Sequence, residues 1–262
     1  MGIRHQLLLS AAMAGALAAS ATAMAADYPT KKAPPPAPAP VVVASVTPGF
    51  FVKAGFLYAI NQTSSKLYSG TLNNPPSSLL TQVEIPGVGA TVSNVATLGF
   101  EAGYFVTPNV SVDVSAGVPM WATDKTKGTP QAFPLPSGTL LAKIMPSFVP
   151  VTALYHFTQF GAFQPYLGGG VAAVFSFAKR DAFDTGVDVK PTVGLILQGG
   201  ADVMIDQHWG WTLDVKKLFA HVTADATGEN FASLGGPEYP IANSQKAYFE
   251  PWVLSTGVTY RF

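Results

Sequence analysis

The sequence predicts an all-β protein, an eight-stranded antiparallel transmembrane β-barrel of the outer-membrane type. Three observations carry that prediction. Charged residues make up only 11% of the 262 and hydrophobic ones 48%, yet beyond the N-terminus no apolar run reaches the roughly 18 residues that a spanning helix needs. Apolar and polar residues alternate in eight stretches between positions 50 and 262, the period of strands with unlike faces. The connections between these stretches alternate short and long, as in barrels whose short turns lie in the periplasm. A soluble β-sandwich is the competing fold for an exported chain of this composition, but it has no reason to sort its connections by length.

Residues 1–26 read as a secretory signal peptide. Arg4 and His5 precede the apolar run LLLSAAMAGALAASA, and ATAMAA offers the small residues of a cleavage site. Residues 27–48, DYPTKKAPPPAPAPVVVASVTP, are rich in Pro and Ala and read as an extended periplasmic spacer without a core of its own. The barrel is expected over 49–262. Its strands are expected at 50–61, 93–106, 109–121, 146–158, 165–178, 191–205, 209–223 and 247–262. The connections at 107–108, 159–164 and 206–208 are short. Those at 62–92, 122–145, 179–190 and 224–246 are long and polar, or rich in Gly and Pro. An even strand number leaves both ends of the barrel chain on the periplasmic side.

One parity of each strand is apolar, and its aromatics fall at two depths. Phe50, Tyr104, Tyr155, Phe157, Trp211, Tyr260 and Phe262 lie near the short turns. Tyr58, Phe175, Phe177, Phe219 and Trp252 lie near the long connections, with mostly Val, Ala and Leu between. Two aromatic girdles around an aliphatic band match a bilayer and its two interfaces. Lys217 is the inconvenient outward charge; near an interface it costs roughly 0–1 kcal/mol, because its stem can snorkel.

The other parity faces the lumen and divides by depth. Lys53, Glu101, Asp113, His156, Asp202, Asp214 and Arg261 form a charged floor near the periplasm. A barrel of eight strands is barely wide enough for its own side chains, and buried charges must pair, so the floor is expected to close the lumen. A proton or ion path is the sharper alternative. Leu57, Val95, Trp121, Phe148, Val174, Ile196, Leu218 and Val253 make the upper lumen apolar. They are either plain packing or a pocket for a small apolar ligand. Pro119, Pro146, Pro150, Pro191 and Pro251 lie towards the extracellular strand ends, and each removes a ladder donor. Pro119, Pro150 and Pro251 are the candidates for a lateral opening in the wall.

Little else in the sequence points to chemistry. Net charge is zero and cysteine is absent, which removes nucleic-acid binding, disulfides and thiolate chemistry. The glycines at 168–170 and 199–200 lack the Lys–Ser/Thr of a phosphate loop. His156, His208 and His221 are too far apart to share a metal. A barrel hydrolase would pair His156 with Asp113 or Asp202, but no serine stands out to complete it. No catalytic, metal or cofactor-binding residue is therefore expected.

The stretches YFVTPNVSVDVSAGVP (104–119), VTALYHF (151–157), PYLGGGVAAVFSF (165–177), GWTLDVKKLF (210–219) and EPWVLSTGVTYRF (250–262) resemble, in that order, the outer membrane protein W (OmpW) family. The resemblance covers nearly all of residues 50–262. It implies an eight-stranded barrel in a Gram-negative outer membrane that passes small hydrophobic molecules through an apolar pocket, with exit sideways through the wall. A structural or adhesive antigen acting through its extracellular loops is the alternative. The partners implied are outer-membrane lipid and lipopolysaccharide, a small hydrophobic ligand, and the barrel-assembly machinery. The last would read the closing strand through Tyr260 and Phe262.

Overall fold

A computed structural model of the chain describes residues 48–72, 83–84, 89–128, 136–226, 228–230, 238–239 and 241–262. The expected signal peptide and nearly all of the expected spacer lie outside the described residues. Eight strands form the wall: β1 (Phe50–Ile60), β2 (Val95–Thr107), β3 (Val110–Gly117), β4 (Leu140–His156), β5 (Phe163–Asp181), β6 (Thr192–Met204), β7 (Trp209–Ala226) and β8 (Trp252–Arg261). Each pairs antiparallel with its chain neighbours, and β8 pairs with β1 from Phe51↔Arg261 to Ile60↔Trp252. The ring is closed, so neither terminal strand leaves an edge.

The outward parity is the one expected. Phe50, Phe100, Leu167, Val193, Leu195, Leu213 and Phe262 are among the exposed large apolar side chains. Phe160, Phe163 and Trp209 are also exposed at the short-turn end and thicken the lower aromatic girdle. Lys217 sits level with Trp252 of the upper girdle. Its ammonium group donates to the Glu250 carbonyl at 2.6 Å and lies over the Trp252 and Phe219 rings at 5.2 and 5.5 Å. The protein itself, rather than a headgroup, satisfies this charge.

The long connections are only partly loops. β4 begins at Leu140, β5 runs to Asp181 and β7 to Ala226, so each extends beyond its expected strand. Segments Thr63–Leu72, Gly89–Val92, Ala122–Lys127 and Ile241–Phe249 add further strand above the band. Outside a bilayer the outward face of a strand meets water instead of lipid and need not be apolar. A segment such as ATDKTK therefore shows no clear alternation in hydropathy, although its backbone is paired.

The expected strand at 109–121 is interrupted. β3 stops at Gly117, residues 118–121 belong to no strand although Val118 N still donates to the Leu98 carbonyl at 2.9 Å, and strand pairing resumes at Ala122 in the opposite phase. Ser111 and Asp113 are buried before the break, and Ala122, Asp124 and Thr126 after it. The irregular stretch containing Pro119 adds one step to the alternation. Trp121, expected in the lumen, is consequently exposed, with the Arg180 guanidinium over its ring at 4.5 Å. Glycines permit close strand approach in β5: a Cβ on Gly168 or Gly170 would collide with the Ala153 or Val151 carbonyl of β4.

Candidate functional site: the lumen and its wall

All seven residues expected in the floor are buried, and six of them, all but His156, form one network of ion pairs and hydrogen bonds. The Lys53 ammonium lies 3.4 Å from Glu101 and 3.2 Å from Asp202, donates to the Tyr166 hydroxyl at 3.2 Å and sits 4.2 Å from that ring's centre. Arg261 reaches Asp202 at 3.1 Å and the Gln164 amide oxygen at 2.7 Å. Lys216 lies 2.6 Å from Asp214 and 3.0 Å from Glu101. The Gln198 amide nitrogen donates to Asp214 at 2.9 Å and Glu101 at 3.3 Å, while Thr152 donates to Asp113 at 2.8 Å. Phe51 and Phe105 pack below, with ring centres 5.2 Å apart. Opposite charges at contact distance with neutral donors between them offset the desolvation that burial imposes.

Lys216, Tyr166, Gln198 and Thr152 were not singled out by sequence. Lys216 shares the inward parity of Asp214 and Leu218, and Gln198 that of Ile196 and Asp202, so extending the parity through each strand finds both. His156 stays at the floor, away from His208 in a periplasmic turn and His221 against Tyr248. A serine does lie beside it: Ser111 Oγ is 3.0 Å from His156 Nε2. Both residues are 0% exposed, and His156 Nδ1 has no partner, so this dyad lacks both an orienting carboxylate and access.

Above the floor is a cavity, partly open to solvent. Leu57, Val95, Phe148 and Val253, all expected there, line it, and Glu101 and Lys216 form its base. Ile196 and Leu218 do not line it. They pack with Ala172, Val174, Ala220 and Phe249 in a tight cluster on the β5–β6–β7 side. Val174 also lines a second, smaller, upper cavity, and Pro146 and Phe249 border both cavities.

The wall beside the lower cavity is incomplete. β3 and β4 pair from Val110↔Tyr155 to Val114↔Val151, and pairing returns only at Ala122↔Ile144. Between those rungs, residues 115–121 and 145–150 form no ladder with each other. The cavity reaches this seam at Gly117, Pro119, Met120, Pro146, Phe148 and Pro150. Pro119 and Pro150 thus stand at the seam. Pro251 does not: it marks the join between Ile241–Phe249 and β8, and its carbonyl accepts from Leu218 N at 3.2 Å. At the seam's edge the Val118 carbonyl accepts from Thr97 Oγ1 at 2.9 Å.

The sequence profile of the OmpW family matches residues 73–262. The chain belongs to the OmpW family. Among its OmpW-type relatives is an uncharacterized outer-membrane protein, y4mB, of Sinorhizobium fredii, 34% identical over 180 residues, which are 68% of this chain and 71% of that one. The dibenzothiophene metabolism operon protein PahQ of Pseudomonas aeruginosa is 31% identical over 144 residues, 55% of this chain and 64% of that one. The crystal structure of the outer membrane protein OprG from Pseudomonas aeruginosa superposes with a TM-score of 0.68 at 22% identity, covering 84% of this chain and 99% of that one. The OmpW assignment and this shared fold put the girdled band in an outer membrane.

Proposed function

We propose that the barrel admits small hydrophobic molecules from the extracellular side, holds them in the apolar lumen above the ionic floor, and releases them through the β3–β4 seam into the membrane. The observation that carries this reading is the coincidence of the lower cavity with the stretch where the wall has no ladder. Above its charged base the cavity is lined largely by apolar side chains, Leu57, Val95, Met120, Phe148 and Val253 among them, suiting cargo without charge. The floor network below it blocks a route to the periplasm, which favours sideways exit. The name of the dibenzothiophene-operon relative supports apolar aromatic cargo. The role is carriage rather than turnover, in keeping with the inaccessible Ser111–His156 pair.

Gly117 gives a clean test. The atoms nearest a Cβ there belong to Thr97, Leu57 and the Leu98 carbonyl, at 3.4–3.7 Å, which is ordinary contact. Gly117→Phe should therefore fold, with its ring filling the cavity beside Leu57 where it reaches the seam. Dibenzothiophene uptake by cells carrying the variant should fall to that of cells without the barrel, while heat-modifiable gel migration stays normal. Wild-type uptake by a normally folded variant would reject the route.

A further inference from the structure

The upper cavity contains a carboxyl group that nothing in the transport reading uses. Segment Ala122–Lys127 rises above the upper girdle: Ala122 pairs with Ile144, three residues beyond the Ser147 that faces girdle residue Phe175. Side chains alternate along this segment, so Ala122, Asp124 and Thr126 turn inward while Lys125 is exposed, and Asp124 is 9% exposed. Asp124 lines the upper cavity among Val92, Ile144, Val174, Val222 and Phe249.

Among the described residues, only Asp124 and Ser176 bring polar side-chain atoms to that lining. The Ser176 hydroxyl already donates to the Ala178 carbonyl at 3.0 Å. Asp124 is different: its Oδ1 has no hydrogen-bond partner. An orphaned buried carboxyl oxygen is costly unless something donates to it. Rotation about a carboxyl's terminal torsion is broad and two-fold, so either oxygen can turn to the cavity. Burial pushes this carboxyl up to about 7, against a weaker lowering by the Lys125 backbone.

We infer that the upper cavity is a selective binding site for apolar molecules bearing one hydrogen-bond-donating head, an alcohol, phenol or amine, with that head on Asp124 and the apolar body against Val92, Ile144, Val174, Val222 and Phe249. This rests on the transport reading and narrows its cargo. Pro146 and Phe249 border both cavities, so a molecule held at Asp124 lies at the entrance to the lower one. A pure hydrocarbon passes the same walls but leaves the carboxyl unsatisfied.

The experiment compares 2-naphthol with 2-methylnaphthalene, matched in size and both fluorescent, on the full-length barrel in lipid nanodiscs with empty nanodiscs as reference. One hydrogen bond to an otherwise orphaned carboxyl corresponds to about tenfold in affinity. Wild type should prefer naphthol about tenfold. Asp124→Leu should bind methylnaphthalene at least as well as wild type and lose the preference. Asp124→Asn, which keeps an acceptor oxygen, should retain part of it. Methylnaphthalene binding by the Leu variant also reports that the cavity is intact. An equal naphthol preference in wild type and Asp124→Leu overturns the site while leaving the transport reading standing. Failure of wild type to bind either probe overturns both.

Discussion

Lys216→Met tests whether the lumen floor is a balanced ionic network. Lys216 lies 2.6 Å from Asp214 and 3.0 Å from Glu101, with all three side chains at most 7% exposed. Water therefore cannot replace the lost ammonium group. Glu101 keeps Lys53 at 3.4 Å. Asp214 keeps the Tyr166 hydroxyl and the Gln198 amide, each at 2.9 Å, but no second cation among the described residues pairs with it. One carboxylate is left uncompensated. Removing one partner of a buried pair costs about 3–5 kcal/mol. The two retained hydrogen bonds to Asp214 put the expected loss near the lower end, about 3 kcal/mol. In Lys216→Met/Asp214→Asn the orphan is removed as well, and the remaining charges balance, with Lys53 on Glu101 at 3.4 Å and Arg261 on Asp202 at 3.1 Å. That double variant should fall within about 1 kcal/mol of wild type. Urea unfolding in detergent micelles, followed by heat-modifiable gel migration, measures both. A single variant that loses under about 1 kcal/mol, or a double variant that loses as much as the single, refutes the balance.

Three further outcomes are expected. Asp124 holds its proton to about pH 7 in the fold but only to about 3.9 when unfolded. The native state therefore binds more protons between those values, and stability should fall as pH rises from about 4 to 7, by up to about 1.4 kcal/mol per unit, then level off. Asp124→Asn should flatten that slope in urea titrations across the window, and an unchanged slope assigns it elsewhere. Leu218→Asp places a carboxyl in a packed, fully buried cluster, costing several kcal/mol. Leu57→Asp instead faces the cavity, so it should assemble and lose uptake where Leu218→Asp fails to assemble, as gel migration and uptake together would reveal. Deleting Phe262 removes its backbone bond to the Phe50 carbonyl at 2.9 Å and its edge-on contact with Tyr260. It should lower the yield of folded barrel in cells more than refolding into detergent, and equal yields would count against an assembly signal there.

What was legible in the sequence, and what was not, follows from where the chain meets lipid. Within the band every second residue must be apolar, so strand order, the faces and all seven floor charges could be read by parity. The rule fails in two kinds of place. Above the girdles nothing forces alternation, and Ala122–Lys127 looked like loop. At residues 118–121 the phase slips by one, so Trp121, counted into the lumen by parity, points out. Ile196 and Leu218 were correctly placed inside, but parity does not say whether an inward apolar residue lines a void or fills one. Here they fill it. The unpartnered oxygen of Asp124 has no sequence signal, because it depends on which side chains from other strands surround it.

The prolines at the seam have a meaning beyond weakened pairing. In hydrocarbon, an amide N–H without a partner costs several kcal/mol, so an ordinary strand left unzipped against lipid would be expelled or would drag water in. Pro119, Pro146 and Pro150 have no such N–H. The nearby Val118 carbonyl is answered from within the protein, by Thr97. At these three positions proline therefore interrupts the ladder without presenting an unpaired donor to acyl chains.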